Sequence, residues 1–333
     1  MRGIRIHRAP TRKRFRGQVR TARRDTTVAA GSFRVPVSAL DGILVVDLTR
    51  YLPGPFASRE LLRLGARVVR LEPPGGDPMR RVAPAWHEAL NAGKESVTID
   101  LKRDPEKGRA LCAEADVVIE SFRPGVAARL GVGPDDLPET VVYCSITGFG
   151  LGGRHEQRAG HDLNYLGWAG LLADTAPALP PTQIADLGAG SLTAVKGILA
   201  ALLERLKTGC GSHVVVSMTH GAYDFGAHRL GGDPIPKLLT GGLASYGVYE
   251  TADGRHLTVA ALEEPFFRRL CELLGRPELA GRQFDRGAQG ELADILAESF
   301  RRRPLAEWLE LFDGEDVAVG PVATLAEAAA EFG

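Results

Sequence analysis

The sequence predicts an α/β fold: a large domain on a doubly wound, Rossmann-like parallel sheet, followed by a smaller α+β domain. Three patterns carry that prediction. Short apolar, β-branched runs alternate with helix-like stretches between residues 43 and 146, which is how βαβ units read. Residues 190–207 place Leu192, Val195, Leu199, Leu202 and Leu206 at steps of three and four, and Gly209 follows where a left-handed cap residue is expected. Two alternating runs within 246–262 flank Asp253-Gly254, a hairpin turn signal.

In chain order, Ile43-Leu-Val-Val-Asp-Leu48 is a buried parallel strand, apolar toward both faces. Pro53-Gly-Pro55 turns the chain into a helix over 56–64, which carries Leu61, Leu62 and Leu64 and stops at Gly65. Arg67-Val-Val-Arg-Leu71 is the second strand and completes a right-handed βαβ crossover. Strands are predicted at 97–101, 116–120 and 141–146, with a helix at 105–114. A strand at 213–218 follows the long helix. Beyond the hairpin, Pro265 opens a helix that runs through Leu274 and closes at Gly275. Helices at 290–302 and 304–312 and a short strand at 317–319 finish the second domain. The expected organisation is a basic, disordered extension over 1–36, a large domain over 37–234, a small domain over 235–322, and a shortened return segment over 323–333.

The 333 residues hold 41 basic and 41 acidic side chains, 44% hydrophobic and 25% charged residues, the mix of a soluble globular chain of about two domains. The charge is unevenly spread. Residues 1–36 contain ten Arg and Lys13 against the single acid Asp25, so the remainder is mildly acidic and no nucleic-acid partner is expected. No unbroken apolar run approaches the ~18 residues of a membrane span, so no membrane partner is expected either. Cys112, Cys144, Cys210 and Cys271 are far apart and form no CxxC, which suits a reducing cytoplasm. The eight histidines form no HExxH and no close cluster, so no metal is implied.

Four segments, and the single residue Glu72, could carry chemistry. Gly148-Phe-Gly-Leu-Gly-Gly153 mimics a dinucleotide loop, but Arg154-His-Glu-Gln-Arg158 cannot open the apolar helix such a loop needs, so it reads as a turn. Glu72 has the spacing of a ribose-binding acid without the accompanying glycines. Gly160-His-Asp-Leu-Asn-Tyr165 is too polar for core; it is either a site or a surface turn with a helix cap at Asp162. Asp186, upstream of the long helix in Ala185-Asp-Leu-Gly-Ala-Gly-Ser191, is either that helix's cap or a proton-handling carboxylate beside backbone N–H groups that suit an oxyanion. Glu263-Glu264-Pro265 reads as first-turn acids or as a site at a strand end.

Together the segments resemble the class III CoA-transferase superfamily, which includes formyl-CoA transferase, carnitine CoA-transferase and α-methylacyl-CoA racemase. The resemblance runs over about residues 39–326. It is carried by Asp41-Gly-Ile-Leu-Val-Val-Asp-Leu48, Leu64-Gly-Ala-Arg-Val-Val-Arg-Leu-Glu-Pro73, Asn91-Ala-Gly-Lys94, Ile99-Asp-Leu-Lys102, Ala115-Asp-Val-Val-Ile-Glu-Ser-Phe-Arg-Pro-Gly-Val126, Ile146-Thr-Gly-Phe-Gly150 and Thr208-Gly-Cys-Gly-Ser-His-Val214. Ala159-Gly-His-Asp-Leu-Asn-Tyr165, Gly241-Gly242 and Ala261-Leu-Glu263 look closest to the racemase branch.

The resemblance implies an acyl-CoA racemase-like epimerase with His161 and Asp186 as the two bases and Glu263 paired with His161. It implies CoA contacts at Asp100, Leu101, Lys102, Phe122, Arg123, Arg129, Gly160, Asp162 and Tyr165. Coenzyme A would arrive as part of the substrate, with no tightly bound cofactor, and an interlocked homodimer is expected. The alternatives are a CoA-transferase using Asp186 as nucleophile and a non-catalytic acyl-CoA-binding homologue.

Overall fold

The computed structural model describes residues 38–233 and 237–332; the basic segment 1–36 and the domain boundary expected at 234–235 lie outside them. β1 (Leu44–Asp47), α1 (Pro53–Arg63) and β2 (Arg67–Glu72) form the βαβ unit the apolar runs predict. Two short helices, α2 (Met79–Val82) and α3 (Pro84–Asn91), lead to β3 (Glu95–Thr98). Then come α4 (Pro105–Ala113), β4 (Val117–Glu120), α5 (Val126–Arg129), β5 (Val142–Thr147) and α6 (Asp162–Trp168). A π-helical turn over Ala185–Leu192 continues directly into α7 (Thr193–Thr208), followed by β6 (His213–Ser217) and α8 (Met218–Gly226).

All six strands are parallel, in the order β3-β2-β1-β4-β5-β6. The order reverses between β1 and β4, and a crevice is expected at the carboxyl ends of those two strands. Alternation sorts the central strands: Val45, Val117, Ile119 and Cys144 pack on the side of Ala57, Leu61, Ala194 and Ile198. Val46, Val118 and Tyr143 pack on the other side with Cys112 and Val132. Both faces are covered, which is why these strands read as continuous apolar runs. Ile198 is wholly buried. Ile198→Ala is expected to destabilise the protein by about 2–5 kcal/mol, read as a lowered urea midpoint at unchanged slope.

The second sheet is antiparallel: β7 (Tyr246–Glu250), β8 (His256–Ala260) and β9 (Val319–Pro321), in that order. α9 (Glu264–Leu273), α10 (Gln289–Phe300) and α11 (Leu305–Phe312) join it around a separate core of Phe267, Leu270, Leu292, Leu296, Phe300 and Trp308. The Trp308 indole donates to the Phe300 carbonyl at 2.8 Å, so the buried N–H is satisfied. Leu325–Phe332 forms a last helix, α12.

Several boundaries differ from the sequence reading for local reasons. The strand predicted at 97–101 ends at Thr98, because the Asp100 carboxylate accepts from the Lys102 N–H at 3.0 Å and turns the chain. The strand predicted at 317–319 starts only at Val319, because Ala318 takes a left-handed φ of 49°. The long helix starts at Ala185 rather than near 190, so Asp186 lies inside its first turn. The 24-residue helix Ala185–Thr208 is long and apolar enough to cross a membrane by length and composition alone. Here Ala194, Ile198 and Ala201 are buried in the core beside the sheet.

Candidate active site

The crevice at the switch point holds three neighbouring cavities. The first, about 390 Å³, is lined by Leu48 and Arg50 after β1, Leu71 near the end of β2 and Pro73 after it, and Asp100, Leu101, Lys102, Phe122 and Leu130. The second, about 680 Å³, shares Arg50 and Phe122 with the first and adds Arg123, Glu156, Arg158, Gly160, His161, Tyr165 and Asp186. The third, about 450 Å³, shares Tyr51, His161 and Asp186 with the second. Its other walls are mostly apolar: Leu52, Met79, Trp86, Leu163, Leu179 and Pro180. The path therefore runs from a region with cationic walls to an apolar one, with one imidazole and one carboxyl at the junction.

His161 occupies the N-cap position of α6 with extended backbone, φ −129° and ψ 175°. The cap expected at Asp162 is thus displaced by one residue, because Asn164 Oδ1 accepts the His161 N–H at 3.0 Å and closes the turn around His161. Among the described residues the imidazole has no hydrogen-bond partner, and its residue is exposed to the cavities. Tyr165 braces the loop. Its hydroxyl donates to the Gly160 carbonyl at 2.5 Å, and its ring fills the space where a Cβ on Gly148 or Gly160 would sit. Burial pushes its phenol up to about 12, so it stays protonated.

Asp186 is held by the π turn. The single Ser191 hydroxyl proton is shared between the backbone carbonyl oxygen of Asp186, five residues back, with Oγ at 2.9 Å, and Pro53 O at 2.7 Å. Gly190 and Gly188 allow α8 to approach: a Cβ on Gly190 would lie 2.9 Å from the Met218 side chain. Such π insertions accompany functional sites. Burial, and then the Asp162 carboxylate, push the Asp186 carboxyl up to about 7. The Asp186 N–H donates to Asp162 Oδ1 at 2.9 Å, so that amide is taken and the oxyanion donors expected around residue 190 do not include it.

The expected residues are only partly gathered. His161, Asp186, Gly160, Tyr165 and Arg123 surround the central cavity; Asp100, Leu101, Lys102 and Phe122 line the first. Asp162 lines the apolar cavity. Arg129 is exposed and lines none of the three. Glu263 is the exposed N-cap residue of α9 and lines none either, so the pairing with His161 is not made within one chain. Glu72 is committed to Arg70 and Arg80, and Gly148–Gly153 leads into turns, so neither serves a dinucleotide. Sequence reasoning missed Arg50, Tyr51, Glu156 and Arg158. The signal for Arg50 and Tyr51 was their place just past the carboxyl end of β1, where the switch-point rule puts a ligand. Among the described residues no group of three His, Cys, Asp or Glu side chains is arranged to hold a metal.

Residues 40–332 match the model of CoA-transferase family III. The chain is 34% identical to mouse alpha-methylacyl-CoA racemase over 308 residues, 87% of this chain and 79% of the relative. It is 33% identical to acetyl-CoA:oxalate CoA-transferase of Acetobacter aceti, covering 88% of this chain and 83% of the relative. The crystal structure of Rv3272 from M. tuberculosis superposes with a TM-score of 0.77 at 31% identity, covering 89% of this chain and 85% of that one. The match takes in the parallel sheet, the switch-point crevice and the antiparallel hairpin alike, and the chain belongs to CoA-transferase family III.

Proposed function

We propose that the chain is an acyl-CoA epimerase of the α-methylacyl-CoA racemase kind, inverting the carbon next to the thioester by two-base proton transfer. One observation carries the reading: His161 and Asp186 both line the polar cavity and the apolar cavity. A thioester at that junction presents its α carbon to an imidazole and a carboxyl, one to remove a proton and one to return it. The carboxyl suits exchange near neutrality because it is raised to about 7. Arg50, Arg123 and Arg158 suit the phosphates of CoA, and the apolar walls suit an aliphatic acyl chain. CoA enters and leaves as part of the substrate. Glu263 pairs with His161 in this reading only if a second copy supplies it, which is the reason for proposing a homodimer. We place the enzyme in the cytoplasm on its cysteine usage.

The test is deuterium wash-in at the α carbon across a panel of 2-methylacyl-CoA esters in deuterium oxide. Wild type is expected to exchange. His161→Ala is expected to lose about 10²–10⁴-fold, and unequally for the two enantiomers. Equal exchange from both enantiomers in His161→Ala would overturn the assignment of His161.

A second reading is favoured by the Asp186 carboxyl, which has no hydrogen-bond partner among the described residues and is partly desolvated. As a nucleophile its oxygen would bond to the thioester carbon while the CoA thiolate leaves, giving a mixed anhydride. The thiolate then attacks the aspartyl carbonyl, releasing the donor acid and leaving an aspartyl-CoA thioester. An acceptor acid passes through the same two steps in reverse to leave as its own CoA thioester and restore the carboxylate. Transfer to a free acid without α exchange selects this reading. CoA binding with neither activity selects a non-catalytic homologue.

A further inference from the structure

The resemblance assigns Asp162 to CoA, but in the structure its carboxylate accepts the Asp186 N–H at 2.9 Å. That amide belongs to the first turn of the long helix, where no earlier carbonyl of the helix can accept it. Asp162 thus completes a helix to which it does not belong. It is also the residue after His161 and the first of α6, and the His161 backbone is fixed there by two bonds to Asn164, at 2.8 and 3.0 Å. One side chain therefore joins the backbone that carries the imidazole to the backbone that carries the carboxyl.

We propose that Asp162 is a positioning residue, its bond to the Asp186 amide holding the mouth of α6 against the π turn and so setting His161 and Asp186 relative to each other. The proposal rests on the reading of those two side chains as a pair of bases. An Asn at 162 would accept the same bond, so the choice of an acid has its own consequence. Asp162 is 9% exposed, and among the described residues it pairs with no cation. Its negative charge is placed beside a second carboxyl, which favours the protonated form of that carboxyl and makes its conjugate base stronger. The elements packed against the π turn carry other ionisable groups: Tyr165 on α6, His220, Tyr223 and Asp224 on α8, Arg59, Glu60 and Arg63 on α1, and Lys196 on α7, while Arg50, Arg123, Glu156 and Arg158 line the cavity it faces. On α1 the two arginines are paired with Glu60. Burial first, and then the Asp162 charge, raise the Asp186 carboxyl.

The experiment uses substrate-free protein labelled for NMR, with Asp186→Asn to assign the Asp186 carboxyl carbon. In Asp162→Asn the Asp186 titration midpoint is expected to fall by about one pH unit, while the Asp186 amide keeps its protection from hydrogen exchange. In Asp162→Ala the midpoint falls similarly, and the amide exchanges at least about tenfold faster because its acceptor is gone. α-Proton wash-in should follow the same split: its pH profile shifts to lower pH in Asp162→Asn at a maximum within about tenfold of wild type, while Asp162→Ala loses roughly a further 10–100-fold. An unmoved midpoint in Asp162→Asn, or amide exchange and activity as impaired in Asn as in Ala, would overturn the proposal. If the Ala variant fails to fold, Asp162→Ser, too short to reach the same amide, replaces it. Wild type without wash-in, but with the Asp162-dependent midpoint and amide protection intact, would remove the epimerase reading and leave the link between the two elements standing.

Discussion

Asp186→Asn is expected to lower kcat/KM by about 10³-fold or more for α-proton exchange and for acyl transfer alike. The carboxyl is the one group that both proposed chemistries would use, as a base in the first and as a nucleophile in the second. The isostere keeps the volume and the backbone of the π turn, so the loss reports chemistry rather than folding. Stability should move the opposite way. The Asp186 carboxyl is raised to about 7, mainly by burial and then by Asp162, against an ordinary value near 3.9. A raised value means the native state favours the protonated acid. Its contribution to stability is fully present below about pH 4 and is lost as pH rises through about 7. At pH 8 the wild type carries a half-buried carboxylate that the Asn variant lacks. Urea unfolding is expected to show Asp186→Asn more stable by about 1–2 kcal/mol at pH 8, allowing for solvent screening, with the difference vanishing near pH 4. Equal stability at both values would mean that the carboxyl is not desolvated. Unchanged exchange would remove Asp186 from the reaction.

The sheet was legible because its information is local. Ile43–Leu48 and Ala115–Glu120 are apolar toward both faces, and only a strand covered on both sides buries such a run. Gly209 and Asp253-Gly254 were equally readable, since a left-handed cap and a tight hairpin each ask for a residue that tolerates positive φ; Gly209 takes φ 79° and Gly254 takes φ 73°. The π turn was not readable. Asp186, Gly188 and Gly190 are poor helix formers, so the segment looks like a loop. It becomes helical because the glycines admit Met218 and Phe225 of α8, which lie some thirty residues further on. The site divides in the same way. Polar residue types singled out the segments of His161 and Asp186 as sites or caps, the resemblance supplied the roles of the two residues, and no periodicity would have found them. Arg50 and Arg158 enter the cavity only once β1, β4 and the 150s loop are folded around it. The bond from Asp162 to Asp186 is invisible in a sequence that shows two acids in separate polar segments. Glu263 shows where a resemblance outruns one chain: the motif is present, and its expected partner is not beside it.

Loss of the Arg70 side chain should cost the fold heavily. It points from β2 into the molecule at 1% exposure, pairing with Glu72 at 2.8 Å and Asp77 at 2.6 Å and reaching His87 Nε2 at 2.9 Å, while its own Nε has no partner. Burial first, then the Arg80 and Arg70 charges, hold His87 below its usual range, so the neutral ring accepts from Arg70. Burial works against the Glu72 carboxylate, but the Arg80 hydrogen bond and the Arg70 charge outweigh it and keep that carboxylate below the usual range. The network ties β2 to the segment holding α2 and α3, and that segment supplies Met79 and Trp86 to the apolar cavity. Arg70→Ala leaves Glu72 with Arg80 but takes from Asp77, which is 3% exposed, its ion-pair partner, leaving its carboxylate the Met79 N–H, and opens a void among them. The expected cost is about 3–5 kcal/mol, since removing one partner of a buried pair leaves the other charge uncompensated. Asp77→Asn in the Arg70→Ala background should recover part of that loss, which a void alone would not allow. The functional trace should be selective: KM for a long aliphatic acyl-CoA rises more than KM for acetyl-CoA, because the segment holding Met79 and Trp86 in the wall of the apolar cavity loosens. A cost below about 1 kcal/mol, or no recovery in the double variant, would show that β2 holds this wall by packing and not by charge.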